Sequence, residues 1–266
     1  MNDPGAAAVL VGAGNITRCD YTNDEQTALL LDAIPGTVFT TGDNVRASGS
    51  LADFQTCYDP SWGRHKARTR PTPGAFDYQT AGAAGYFSYF GAAAGTSGQG
   101  YYSYDLGSWH IIALNSNIST AAGSAQELWL KADLAATTKP CILAYWSHPR
   151  FSSYSTYVRP EVKPLWDDLY AAGADVVLAG HYRLYERFAP QTPAGVRDDA
   201  TGIRQFTVGT GGHGVETFGT PQPNSEVRQS GTYGVLKLTL RATGYDWQFV
   251  PIAGQTFTDT GSNNCH

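Results

Sequence analysis

Apolar and polar positions follow two rhythms along this chain. Short apolar runs that stop at glycine read as buried strands, and stretches with apolar residues three and four apart read as helices. Ala6 to Val11 is such a run, entering Gly12-Ala13-Gly14. Thr22 to Ile34 follows as a helix, with Glu25 in its first turn and Pro35-Gly36 beyond its end. Thr37 to Thr41 is the next strand. Tyr101 to Leu106 and Trp109 to Leu114 pair around the Gly107-Ser108 turn, and Ser124-Ala-Gln-Glu127 is a capping box opening a helix to about Ala135. Cys141 to Trp146 is an apolar strand, Glu161 to Ala172 has helical spacing, and Asp175 to Ala179 is a buried strand. Arg204 to Val208, Tyr233 to Leu240 and Tyr245 to Val250 read as strands joined by glycine-rich turns.

Helices alternate with strands over the first two thirds, and strands dominate afterwards. This predicts an α/β fold, an αββα sandwich of two mixed β-sheets flanked by helices, as a single domain over 1–266. A site in such a layout gathers at the carboxyl ends of strands.

Composition narrows the partners. With 18 basic residues and a net charge of -5, there is no basic run for a phosphate backbone, so nucleic acid is not expected. No stretch approaches the ~20 apolar residues that span a bilayer, and Met1 to Val9 lacks the pattern of a signal peptide, so the chain reads as soluble. Its four cysteines suit either two disulfides in a secreted protein or free thiols in a cytoplasmic one. The pairing expected is Cys141 with Cys265, tethering a tail too polar to anchor itself, and Cys19 with Cys57.

Five loops carry the candidate chemistry: Gly12-Ala-Gly-Asn15, Gly42-Asp43-Asn-Val-Arg46, Gly74-Ala75-Phe76-Asp77-Tyr78, Trp146-Ser147-His148-Pro149 and Gly180-His181-Tyr182-Arg183. In order and spacing they resemble the calcineurin-like metallophosphoesterases, and most of all a bacterial branch similar to purple acid phosphatases. The resemblance covers nearly the whole chain, including Tyr58-Asp-Pro-Ser-Trp62 and Gly209-Thr-Gly-Gly212. It implies GD, GDxxY, GNHD, HxP and GHxH motifs, which hold two metal ions, with the histidine of GNHD protonating the leaving group.

Matched residue by residue, this chain departs from that pattern at its chemical core. Asn15 stands for an aspartate, Arg46 for the tyrosine, Ala75 for the asparagine, and Ser147 and Arg183 for histidines; Phe76 stands for the catalytic histidine. Asp43, the bridging position, and His181 remain. Two donors do not make a dimetal site, since metal sites generally need three or four, so neither metal nor cofactor is expected. Asn15 also removes a carboxylate that would repel Asp43 once no cation lies between them.

The resulting expectation is a metal-independent enzyme on a repurposed metallophosphoesterase scaffold. Asp43 and His181 form an acid/base pair, with Tyr182 and His148 beside them. Arg46 and Arg183 clamp an anionic or carbonyl-bearing small organic substrate, and Asn15, Asn44, Phe76, Ser147, Tyr78 and His213 line its pocket. Cyclisation, elimination or isomerisation would need only positioning and proton transfer. The alternatives are a non-catalytic anion-binding pseudophosphatase, its arginines spent on internal salt bridges, and a residual metal-dependent phosphoesterase. His148 could equally serve only to brace its loop, and His213 could be a solvated turn residue.

Overall fold

The computed structural model describes residues 7–154 and 159–266, so Ala6 of the predicted first strand lies outside the described residues. The opening unit is β1 (Ala8–Ala13), α1 (Asn23–Ala33) and β2 (Thr37–Thr40). A stretch without clear periodicity then folds into short pieces: α2 (Leu51–Asp53), a π-helical turn over Phe54–Tyr58, a 3-10 segment over Trp62–Arg68, β3 (Thr69–Arg70) and α3 (Ala84–Phe90). The hairpin β4 (Tyr102–Leu106) and β5 (Trp109–Ala113) leads to α4 (Ala125–Ala136), β6 (Cys141–Tyr145), α5 (Lys163–Ala171) and β7 (Val176–Ala179). The chain closes with β8 (Tyr185–Phe188), β9 (Arg204–Val208), β10 (Ser225–Gln229), β11 (Gly234–Arg241), β12 (Gly244–Pro251) and β13 (Thr260–Asn264).

Two mixed sheets result, as predicted. One runs β13-β12-β11-β1-β2-β3 and the other β10-β8-β9-β7-β6-β5-β4. In the first, β1, β2 and β3 are parallel; in the second, β5, β6, β7 and β9 are parallel. Strand periodicity explains the layers. Ile111, Leu143, Val176 and Leu178 face the first sheet's Leu10, Val38, Leu236 and Phe249, while Ile112, Ala144 and Val177 turn outward onto Leu130, Leu165, Trp166 and Leu169 of α4 and α5.

Local details depart from expectation. At α4 the capping box is only half made: Ser124 Oγ accepts the Glu127 N–H at 3.3 Å, but the Glu127 carboxylate takes the Gly123 N–H at 3.0 Å instead of reaching back to Ser124. A reciprocal box forms instead at α2, between Ser50 and Asp53. Both expected disulfides are present, Cys19–Cys57 and Cys141–Cys265. The tail is not anchored by its bridge alone, however, because β13 pairs with β12 through backbone hydrogen bonds that polar side chains do not impede. No helix among the described residues is long and apolar enough to cross a membrane.

Candidate functional site

The three parallel strands of the first sheet and the four of the second end on one edge of the sandwich, and their loops knit together. Gly14 N–H reaches across the sheets to Val208 O at 2.8 Å, Asn15 N–H bonds Gly42 O at 3.1 Å, Gly180 N–H bonds Ser147 O at 2.9 Å, and His213 N–H bonds Asn15 O at 2.9 Å. Two glycines set how closely the loops approach. A Cβ on Gly74 would lie 1.9 Å from Asp43 N, and one on Gly209 would lie 1.9 Å from Tyr182 O.

Three residues at these strand ends adopt left-handed backbone: Asn15 (φ 52°), Asp43 (φ 52°) and His181 (φ 62°). Asn, Asp and His tolerate this region better than most residues, and such strain concentrates at functional sites. The turn aims Asp43 inward. Its side chain is fully buried, with Oδ1 accepting the Phe76 N–H at 2.8 Å and Oδ2 lying 3.2 Å from His181 Nδ1. The His181 ring also contacts His148 (centroids 4.2 Å apart) and the edge of Tyr182 (5.2 Å), and Tyr182 packs on Tyr154 at 4.5 Å.

His148 stays neutral. Burial, and then the charges of His181 and Arg159, push its pKa down to about 2. Its backbone N–H donates to Ser116 Oγ at 3.0 Å, which leaves the Ser116 hydroxyl to serve His148 Nδ1 at 2.9 Å. Beside this group, both amide atoms of Asn15 and the hydroxyls of Ser147 and Thr41 are buried without a hydrogen-bond partner among the described residues. Buried polar atoms in that state cost about 1–3 kcal/mol each unless something else bonds them.

The two arginines have different surroundings. Arg183 is ion-paired to Glu216, which also accepts the Arg183 backbone N–H. The expected pair of available guanidinium groups is thereby corrected to one, since a carboxylate already neutralises Arg183. Arg46 has no carboxylate within ion-pair distance among the described residues. It donates to His213 Nε2 at 2.8 Å and lies 4.5 Å over the Phe76 ring. His213 is buried, not a solvated turn residue; burial and then Arg46, Arg183 and Arg18 hold its pKa down to about 3, so its neutral ring can accept that bond.

Two residues expected to line the pocket sit behind it. Asn44 Nδ2 is spent on Thr72 O and Asp77 Oδ2, both at 2.9 Å, and the Tyr78 hydroxyl accepts from Asn115 Nδ2 at 2.9 Å. Asp77 is the hub of this layer: its carboxylate also takes the N–H groups of Gly74 at 2.7 Å, Asn44 at 3.2 Å and Val45 at 3.3 Å. Burial and the neighbouring Asp43 charge push its pKa up to about 7. Sequence reasoning missed Glu216 and Ser116, which lie in loops without motif signal, and counted Asp77 only as part of a motif.

With this geometry in view, comparison with solved structures decides the fold. The chain superposes over 98% of its length on a purple acid phosphatase from yellow lupin, with a TM-score of 0.78, 16% identity and 54% of that chain covered. Its fold is that of the metallophosphoesterases. The Plasmodium protein GAP50, described as the anchor in the inner membrane complex, gives a TM-score of 0.74 at 15% identity, with 98% of this chain and 90% of that one covered.

Sequence relatives agree with the resemblance read from the loops. Purple acid phosphatase 15 of Arabidopsis thaliana is 35% identical over 100 residues, covering 35% of this chain and 19% of the relative. Purple acid phosphatase 13 of the same plant is 30% identical over 163 residues, covering 59% of this chain and 29% of the relative. The matched segment thus spans less than a third of the length of either relative. No family model matches the chain.

Members of the resembling family hold metals at these strand ends, so the donors here decide the fit. Of the His, Cys, Asp and Glu side chains in the five loops, Asp43, His181 and His148 come together there, while Asp77 lies behind them with its carboxylate taken up by Asn44 and the Gly74 N–H. Among the described residues, three or more His, Cys, Asp or Glu donors come within 4.8 Å of one another only at Cys141, Asp175 and Cys265, where the two sulfurs are joined as a disulfide. The residues at the strand ends do not fit a pair of divalent ions.

Proposed function

We infer that this chain uses the metallophosphoesterase scaffold for metal-independent acid/base chemistry on a small anionic or carbonyl-bearing organic molecule. The observation that carries this reading is the 3.2 Å contact between buried Asp43 and His181 Nδ1. Asp43 accepts the Nδ1–H, which fixes the tautomer and leaves Nε2 to take a substrate proton, and the carboxylate stabilises the imidazolium that forms. The unpartnered Asn15 amide and Ser147 hydroxyl are neutral donors for a developing oxyanion, and Arg46 supplies the cation. Cyclisation, elimination or isomerisation needs no more than this, whereas phosphate-ester hydrolysis also needs an activated water.

One observation favours a second reading, a non-catalytic anion-binding pseudophosphatase: Arg183 is spent on Glu216. The phosphatase relatives favour a third, residual phosphoesterase activity.

A single set of experiments separates the three. The protein is purified through chelator, its metal content is measured, and α-proton exchange of a panel of 2-oxo acids in D2O is followed by NMR. Hydrolysis of an aryl phosphate is measured with and without manganese, iron or zinc. Exchange that persists in chelator and is lost in Asp43→Asn and His181→Gln supports the reading. Two bound metals with metal-dependent aryl phosphate hydrolysis would replace it with the phosphoesterase. Binding of inorganic phosphate with no turnover of either class would replace it with the pseudophosphatase.

A further inference from the structure

Away from the strand-end site, the outer edge of the second sheet carries a groove that these functions leave unused. β4 is the edge strand there. Beside it lies a cavity of about 660 Å3, lined by Tyr101, Tyr102 and Trp129 together with the polar Thr96, Gln99, Ser103 and Asp133. Asp133 also lines an adjoining cavity of about 230 Å3 that includes Asp105, His110 and Lys139. The larger cavity has the size of a small-molecule site.

The chemistry of the walls restricts that ligand. Trp129 is only half-buried, its ring 5.0 Å from Tyr101, and its indole N–H has no protein partner among the described residues. Asp133 accepts from Ser103 Oγ at 2.6 Å and faces His110 Nε2 at 2.8 Å, and a carboxylate with one partner on each oxygen can accept more. Gln99 and Thr96 are exposed beside it. An anion finds no available cation here: Lys139 lies 3.5 Å from Asp105, and His110 is held between Asp105 and Asp133. A purely apolar ligand would bury the Asp133 carboxylate at a cost.

What remains is a neutral ligand with both C–H faces and many hydroxyls. We propose that this groove binds an oligosaccharide. A sugar ring lays its positively polarised C–H bonds on the negative face of the Trp129 indole. Its hydroxyls donate to Asp133 and Gln99 and accept from the indole N–H and from Gln99. Asp133 lines both cavities, so a sugar in the larger one meets the carboxylate that also bounds the smaller. This site is independent of the acid/base reading and can fail or stand without it.

The test is calorimetric titration of the full, disulfide-intact chain with cellotetraose, chitotetraose, maltotetraose, xylotetraose and mannotetraose. At least one is expected to bind with a Kd no weaker than about 1 mM. Trp129→Ala should weaken that sugar at least tenfold and Gln99→Ala several-fold, with thermal midpoint unchanged in Gln99→Ala. Because Trp129 also packs on Tyr101, Gln99→Ala keeps the test valid if the first variant unfolds. Absence of binding by every sugar, or a sugar held equally by wild type and Gln99→Ala, overturns the proposal.

Discussion

The Arg183 guanidinium lies 2.7 Å from Glu216 Oε1, and the other carboxylate oxygen accepts the Arg183 backbone N–H at 2.8 Å. Glu216 therefore occupies the place beside Arg183 where an anionic ligand would sit, and its charge also pushes the Tyr154 hydroxyl pKa up. Glu216→Gln should raise the affinity for inorganic phosphate several-fold while costing on the order of 1–2 kcal/mol of stability, since one partner of a charged hydrogen-bonded pair is lost. Calorimetric titration with phosphate and urea unfolding check the two parts. Unchanged phosphate affinity would mean that anions do not reach Arg183.

His213 gives the fold a particular acid sensitivity. Its folded pKa is held down to about 3 against an ordinary 6.5, so as pH falls below about 6.5 the unfolded chain takes up a proton that the folded chain refuses. His148, pushed down to about 2, acts in the same direction. Asp77, pushed up to about 7 from 3.8, acts oppositely, losing its contribution as pH rises through that interval. In His213→Gln the first of these penalties is absent. The stability advantage of wild type over that variant, measured by urea unfolding, should therefore shrink as pH falls from about 7 to about 4, by at most about 1.4 kcal/mol per pH unit. A gap that does not vary with pH would mean that His213 is not held neutral.

Much of this site was legible because its scaffold is written in glycines and strand ends. Asp43, His181, Asn15 and Ser147 fall at the carboxyl ends of apolar runs, and strand periodicity places such ends on one edge. The order of the loops then implied the fold. Less legible were the partners. Glu216 reaches Arg183 from a loop 33 residues on, and Ser116 reaches His148 across 32, pairings that depend on the tertiary path and leave no local pattern. The helical pieces between Leu51 and Phe90 were missed because they are short, and their aromatic cluster of Phe54, Tyr58, Tyr86 and Phe90 packs without a helical stripe. The short edge strands β10 and β13 are polar on exposed faces, so hydrophobic alternation could not report them.

The two disulfides should differ in worth. Cys141–Cys265 closes a separation of 124 residues and Cys19–Cys57 one of 38. Chain-entropy arithmetic gives about 5 kcal/mol for the longer loop and about 4 kcal/mol for the shorter. The double variant Cys141→Ser/Cys265→Ser should thus unfold at lower urea than Cys19→Ser/Cys57→Ser. The margin should be small, because β13 keeps its backbone pairing to β12 without the bridge. If the shorter loop proves the more costly to open, native-state packing around Cys57 outweighs the unfolded-state term.

The composition of the strand ends can be tested by reversing it. The resemblance implies an aspartate at position 15 and histidines at positions 147 and 183, whereas Asn15 and Ser147 here are neutral and buried, with polar atoms that no group among the described residues bonds. Asn15→Asp alone adds a further buried carboxylate near Asp43, beside which Asp77 is already buried. Two such charges about 4 Å apart repel by about 4 kcal/mol at an effective dielectric of 20, so the variant should lose stability in metal-free buffer or take up a proton instead. Adding Ser147→His and Arg183→His supplies imidazoles and removes a guanidinium, which completes a donor set suited to a divalent ion. The triple variant should then be less stable than wild type in chelator and regain stability with zinc or manganese, by about 2.7 kcal/mol at a hundred times the Kd. Thermal unfolding against metal concentration reads this directly, and wild type should show no such dependence. If wild type were itself stabilised by metal, and Asp43→Asn abolished the effect, the strand ends would already hold an ion and the metal-independent reading would fall.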